Sequence, residues 1–359
     1  MKSLRARCRQ RNCLKTLNKT GSNNDGPNCS HLERYTGQRV VVLGASGFIG
    51  RWVARGLCKA GAKLTLPVRD CSKAGSVFDS YSVEGEVYEL DLENEHAVRS
   101  LFREVRPSIT FNLAGYGVDS GERDEKTAYR LNVSLVQALC DVVSEVRDRA
   151  WRGLDIVHVG TAMEYGRAAG SLNEDSVPEP TTLYGRSKLA GTNALAGCCL
   201  NYGIKGVTAR LFSIYGPGES PRRLLPSLID AARTGEKIPL TDGLHKRDFV
   251  YVEDAADALM RLGLQGEIHG EVNVATGVST QVKDFVTTAA AVLGISRESL
   301  RFGSLPTRPE EMCHEPVSIR RLLKATDWSP TIALREGIKK TASFSSSTME
   351  TKVVSATSL

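Results

Sequence analysis

Val40-Val41-Val42-Leu43 runs straight into Gly44-Ala45-Ser46-Gly47-Phe48-Ile49-Gly50, and Trp52-Val53-Ala54-Arg55-Gly56-Leu57 follows with helical spacing. A short, continuous, β-branched run is the pattern of a strand buried on both faces of a parallel sheet. Glycines spaced G-x-x-G-x-x-G permit a tight turn, let the backbone approach a ligand and let the next helix pack closely on the strand. A helix that starts at such a turn offers free N–H groups and the positive end of its dipole to a pyrophosphate. Strand, turn and helix together predict a dinucleotide site built on Gly44, Ser46, Gly47, Phe48, Ile49 and Gly50.

The alternation continues outward from this turn. Further strands are predicted at Lys63–Val68, Glu86–Leu90, Ile109–Leu113 and Asp155–Val159, with helices near 95–105 and 128–146. This order predicts an α/β fold with a parallel, doubly wound sheet. The second strand ends in Val68-Arg69-Asp70. An acid at this place would hold the ribose hydroxyls, and a base would pair with a 2′-phosphate. Arg69 comes first, which favours NADP(H); Asp70 beside it keeps NAD open. Asp91, followed by Leu92, closes the third strand, where it can meet the adenine amino group or simply start a turn.

Around this core the composition is that of a globular chain. Of 359 residues, 41% are hydrophobic and 25% charged, enough for a substantial core. No apolar run approaches the roughly 18–20 residues that span a bilayer, so an integral membrane protein is not expected. Residues 1–36 carry eight Lys/Arg against two acids, so the formal charge of +6 lies wholly in this segment. The rest is neutral overall, which argues against nucleic acid as a partner. The segment 1–36 is polar and patternless and reads as a disordered tail; it lacks the apolar stretch of a secretory signal. A plain solvated extension is favoured over an organelle presequence, with the protein in the cytoplasm. Residues 342–359, rich in Ser and Thr, read as a second disordered tail. The nine Cys show no metal-ligand spacing, so reduced thiols and no metal site are expected.

Tyr184-Gly185-Arg186-Ser187-Lys188 places a phenol and an amine at i and i+4, on one helix face. A free Tyr titrates near pH 10, and a nearby ammonium favours its phenolate. Thr161, in Gly160-Thr161-Ala162-Met163-Glu164-Tyr165-Gly166, follows the fifth strand, where ligands collect in such sheets. Its hydroxyl could bond a substrate oxygen or cap a turn.

With these motifs the body, from about Val40 to Thr341, resembles an extended short-chain dehydrogenase/reductase of the NAD(P)-dependent nucleotide-sugar epimerase/dehydratase/reductase superfamily. Asn112-Leu113-Ala114-Gly115, Leu131-Asn132-Val133, Ala209 through Gly218 and Lys246 through Asp254 carry the same likeness. The resemblance implies a Rossmann-type sheet, mainly residues 37–214, and a smaller C-terminal substrate-binding lobe, mainly 215–341, with returns to the main sheet. It implies that Tyr184 is the acid/base and that Lys188 lowers its pKa and holds the nicotinamide ribose. Thr161 would be the hydroxyl partner, and Leu113, Ala114 and Gly115 would line the cofactor. Arg247 and Arg308 would grip the diphosphate of a nucleotide-sugar substrate, a task suited to bidentate guanidinium groups. A homodimer formed through helices is also implied.

Dehydratases of this superfamily place an acid two residues after the Thr, whereas Ala162 and Met163 follow Thr161 here. Glu164-Tyr165-Gly166 is similar to reductases of nucleotide-diphospho-4-keto-6-deoxy sugars, and Arg69 agrees with NADPH as reductant. Reduction of a C4 carbonyl is therefore the leading expectation. A nucleotide-sugar 4-epimerase that recycles NAD is the alternative, and a non-catalytic NADP(H)-sensing protein is the third.

Overall fold

The computed structural model describes residues 7–8, 29–119, 121–168, 170–307, 312 and 315–356. Seven parallel strands form its centre: β1 (Arg39–Leu43), β2 (Lys63–Val68), β3 (Glu86–Glu89), β4 (Ile109–Asn112), β5 (Ile156–Thr161), β6 (Gly206–Leu211) and β7 (Gly270–Val274). Their spatial order is β3-β2-β1-β4-β5-β6-β7, with Arg7–Cys8 adding an antiparallel edge beside β3. The order reverses between β1 and β4, and ligands bind beyond the carboxyl ends of the strands at such a switch point. β1 has four of its five residues buried, as its unbroken apolar run requires.

Helices cover both faces. On one side α1 (Phe48–Lys59) packs Trp52, Val53 and Leu57 against the sheet, together with Leu259 and Met260 of α7 (Val252–Gly263). On the other side lie α3 (Glu95–Val105), α4 (Leu135–Val146) and α5 (Leu183–Tyr202), contributing Phe102, Leu139 and Leu195. A separate core forms the smaller lobe, from Leu228 of α6 (Leu224–Thr234), Phe285 of α8 (Val282–Leu293) and Ile338 of α10 (Leu334–Ala356). Between α6 and α8 the chain returns to the main sheet as α7 and β7, and the short α9 (Arg320–Thr326) precedes α10.

Both ends of the folded body lie further out than the sequence suggests. Cys29–Tyr35 is a short 3-10 helix, and Tyr35 is wholly buried, its hydroxyl donating to the Met260 carbonyl at 2.6 Å. The expectation of disorder through residue 36 therefore fails at Arg7–Cys8 and at Cys29–Tyr35. At the other end α10 runs through residue 342, and the Phe344 ring lies 5.2 Å from that of Tyr81 and 6.2 Å from that of Trp52. In each case one aromatic anchor holds a polar stretch that composition alone reads as free. Among the described residues no helix is long and apolar enough to cross a membrane, and no group of three His, Cys, Asp or Glu could hold a metal ion.

Candidate active site

The turn after β1 is shaped by contacts that exclude side chains. Gly44 sits at φ +75°, and a Cβ there would stand 2.8 Å from the Leu113 carbonyl oxygen. A Cβ on Gly50 would collide with the Gly44 carbonyl, so α1 can approach the turn only because Gly50 has none. The N-terminus of α1 is capped by Gly47 with no side-chain hydrogen bond, and its first turn holds no acid. Its N–H groups and positive dipole end are thus left for an external anion, the arrangement that receives a dinucleotide pyrophosphate. Ser46 gives its carbonyl to Arg51 Nη2 at 2.8 Å, which steadies the turn from behind, while Phe48 and Ile49 are half-buried on the first turn of α1.

The residues at the next two strand ends divide their roles. Arg69 is exposed at the end of β2 and makes no ion pair among the described residues. Asp70 is the N-cap of α2 (Cys71–Tyr81): its Oδ1 accepts from Ser72 N at 3.0 Å, Ser72 Oγ at 2.6 Å and Lys73 N at 3.1 Å. The Ser72 and Lys73 bonds hold its carboxyl far below the usual range. Asp91 is exposed and accepts from Glu93 N at 3.0 Å, starting the turn into α3. Leu92 lines a cleft with Arg130, Ser134 and Leu135. Leu113 and Ala114 are half-buried and Gly115 is exposed just past β4, where a Cβ on Gly115 would lie 3.9 Å from Lys188 Nζ. The predicted cofactor wall and the predicted catalytic lysine therefore meet.

Tyr184 and Lys188 stand one turn apart at the start of α5, whose N-cap Thr182 accepts from Gly185 N at 3.0 Å. Tyr184 is half-buried, and Thr161, only 8% exposed, lies close enough to influence its phenol. Burial pushes this phenol well above its ordinary value and the Glu164 charge adds to that, while the Thr161 hydroxyl opposes. Burial and the Glu164 carboxylate thus dominate this phenol, and no Lys188 contribution offsets them. Lys188 is 2% exposed; burial lowers its amine to about 8, with Glu164 pulling the other way.

Of the two roles its position allows, the structure shows Thr161 as a cap. Its Oγ1 caps the short helix Ala162–Glu164 by accepting from Met163 N at 3.2 Å. Glu164 completes the capping box by accepting from Thr161 N at 2.9 Å. That carboxylate is wholly buried and also accepts from Thr192 Oγ1 at 3.1 Å and Arg210 Nε at 2.9 Å. The Arg210 guanidinium lies 4.7 Å from the ring centre of Tyr165, whose hydroxyl donates to Asn273 Oδ1 at 2.8 Å.

Several groups here have no single-motif signature. Asn132 sits in the π turn Arg130–Ser134, accepts from Tyr116 N at 3.1 Å and donates to Ser187 Oγ at 2.9 Å, tying the cofactor wall to α5. His158 touches Lys188 from β5. At the mouth, Arg222 reaches Asp119 at 3.6 Å, and buried Glu219, lifted by burial to about 7, accepts from Arg223 Nε at 3.4 Å. The apolar spacing around these residues could flag them as buried polar groups, but only the crossing of strands and helices shows what they touch. Arg247 is half-buried in the two-residue strand Lys246–Arg247 of the smaller lobe, paired with Thr280–Gln281. Arg308 lies outside the described residues.

Residues 40–275 match the model of the NAD dependent epimerase/dehydratase family. The chain belongs to this family. Among curated relatives of this epimerase/dehydratase family member is a dTDP-6-deoxy-L-talose 4-dehydrogenase (NAD(P)(+)) of Kitasatospora kifunensis, 29% identical over 84% of this chain and 94% of that one. A trifunctional UDP-glucose 4,6-dehydratase/3,5-epimerase/UDP-4-keto-L-rhamnose reductase of Arabidopsis thaliana is 26% identical over 86% of this chain, which spans about half (47%) of the plant protein. Among solved structures, a UDP-glucose 4-epimerase of Thermotoga maritima covers 87% of this chain and 99% of its own at 22% identity, with a TM-score of 0.76. An epimerase of Methanothermobacter thermautotrophicus covers 90% and 96% at 23% identity, with a TM-score of 0.77. These two likenesses establish the extended Rossmann-type fold.

Proposed function

We propose that this protein reduces the C4 carbonyl of a nucleotide-diphospho-4-keto-6-deoxy sugar with NAD(P)H, NADPH being favoured. The observation that carries this reading is the grouping of Thr161, Tyr184 and Lys188 beside Gly115, with no acid at Ala162 or Met163. A reduction needs a proton donor at the carbonyl oxygen, and Tyr184 stays in its acid form at neutral pH. Thr161 Oγ1 accepts from Met163 N, so its single hydrogen is left for the Tyr184 oxygen or the sugar oxygen. NAD(P)H, when bound, supplies the hydride. Tyr184 gives its proton to the oxygen that becomes the C4 hydroxyl, and the buried Lys188 ammonium stabilises the phenolate left behind. The α1 N-terminus with Gly47 would hold the pyrophosphate, exposed Arg69 a 2′-phosphate, and Arg247 the substrate diphosphate.

Two further observations favour this reading over water elimination. Ala162 and Met163 offer no acid after Thr161, and both Glu164 oxygens are engaged by Thr161 N, Thr192 and Arg210. The Kitasatospora relative is named for oxidoreduction at C4 of a 6-deoxy sugar, the same bond chemistry.

The test is NADPH and NADH oxidation with a panel of nucleotide-diphospho-4-keto-6-deoxy sugars, beside Tyr184→Phe. Stoichiometric NADPH oxidation is expected, falling about a thousandfold in the variant with cofactor affinity kept within twofold. Epimer interconversion without net oxidation would replace the reading by an epimerase. Cofactor binding with no turnover of any sugar would leave a sensor.

A further inference from the structure

Directly behind the catalytic lysine lies a histidine that the mechanism above does not use. His158 is wholly buried in the middle of β5, between Val157 and Val159. Its Nε2 stands 3.4 Å from Lys188 Nζ, and its Nδ1 stands 3.1 Å from the Asn112 carboxamide on β4. Asn112 is itself only 1% exposed. Helix α5 can come this close because residue 191 is glycine: a Cβ there would lie 3.5 Å from His158 Nε2 and would overlap the Asn132 carbonyl. Strand, helix and π turn thus enclose one imidazole against one amine.

We propose that His158 is a positioning residue: its Nε2 accepts a hydrogen bond from the Lys188 ammonium and so holds Lys188 charged and aimed at Tyr184. The hydrogen-bond chemistry leaves one consistent arrangement. An ammonium has donors only, so Nε2 must accept, and the imidazole is then neutral with its hydrogen on Nδ1. That Nδ1–H needs an acceptor, and the Asn112 carboxamide is the group in reach. The amide stands with Nδ2 toward Nδ1 and leaves its Oδ1 buried without a partner. A half-turn of the amide puts Oδ1 on the Nδ1–H and locks the tautomer that serves Lys188.

The surrounding charges agree. Burial and the Lys188 charge both hold His158 far below its usual value, so it stays neutral and does not repel the ammonium. Lys188 also feels Glu164 from the turn after β5, which favours its charged form. Tyr184, on the same helix, feels Arg223 and Glu122 from the two loops at the mouth. Arg210, from β6, is engaged by Glu164. Within this set His158 is the neutral acceptor on the amine, and burial would otherwise strip Lys188 of its proton sooner.

The role assigned to His158 rests on the catalytic reading of Lys188, so the test has one arm that needs no substrate. Lys188 is titrated by NMR in protein labelled with 13C at the lysine Cε, its signal assigned with Lys188→Met, and the pH profile of kcat is recorded in parallel. In His158→Leu the Lys188 midpoint should fall by about one pH unit, the effect of losing a hydrogen bond to the charged form. The alkaline limb of kcat should move with it, with KM nearly unchanged, and His158→Gln, which keeps an acceptor, should recover most of the shift. Asn112→Ala, which frees the tautomer but keeps the imidazole, should give a smaller shift in the same direction and serves if the Leu variant does not fold. An unmoved Lys188 midpoint in folded His158→Leu, or in Asn112→Ala where the Leu variant does not fold, or a Gln variant no better than Leu, would overturn the proposal. A shifted midpoint with no sugar reduced would sink the reductase reading and leave the role of His158 standing.

Discussion

The two walls of this site are built in opposite ways. The cofactor turn is made within one short stretch, Gly44 to Gly50, by leaving side chains out: Gly44 adopts a conformation that other residues avoid, and Gly50 lets the helix close on the turn. The floor under Tyr184 is made by putting polar side chains in. His158, Glu164, Lys188 and Arg210 are each buried, and they come from β5, the turn after it, α5 and β6. A backbone cradle needs only local geometry, whereas buried charge is tolerated only where partners from distant segments converge. Damage to the first should fall on cofactor binding, and damage to the second on stability and proton chemistry.

The sharpest way to break this contrast is Glu164→Gln. Removing the charge orphans buried Arg210 and should cost about 3–5 kcal/mol of stability, read by denaturant melts. Replacing both partners, Glu164→Leu with Arg210→Met, should recover much of that loss. A single variant as stable as the parent would show that the floor is not held by its ion pair. Gly44→Ala should follow, losing about 2–4 kcal/mol through the left-handed backbone and the overlap with Leu113. Isothermal titration should also show weaker dinucleotide binding, with the Tyr184 environment unchanged.

A third effect has a sign fixed by linkage. The Lys188 amine falls from 10.5 to about 8 on folding, so above pH 8 the unfolded chain binds more protons at this residue than the native one. Stability from this group must then rise as pH climbs from about 8 toward 10, by about 1–3 kcal/mol. Lys188→Met should flatten that rise in urea melts; an identical slope would remove Lys188 from the buried set. The smallest effect belongs to exposed Arg69. Arg69→Ala should weaken NADPH by about fivefold and leave NADH unchanged, since a solvated charge pair contributes little. Equal losses for both cofactors would refute the 2′-phosphate assignment.

The contrast also explains what could be read in advance. The glycine turn, the strand–helix alternation and the Tyr184/Lys188 spacing are short-range patterns, and the structure puts Leu113–Gly115 beside Lys188 as the motifs suggest. The i,i+4 spacing shows Lys188 but not the burial and the Glu164 charge that dominate the Tyr184 phenol. Asp70 keeps NAD open in the sequence, and only the structure shows that its Oδ1 also caps the first N–H groups of α2. The tails were drawn too long because Tyr35 and Phe344 find pockets made by α7, α1 and α2.

What the sequence determined alone is therefore the sheet class, the family likeness and the glycine turn whose shape suits a dinucleotide, all of which depend on residues a few positions apart. What the tertiary structure decided is the protonation chemistry. Whether Tyr184 is an acid, Glu164 a structural anchor or His158 a partner of Lys188 depends on the dielectric and charges around each group, and those are set by segments the sequence places far apart.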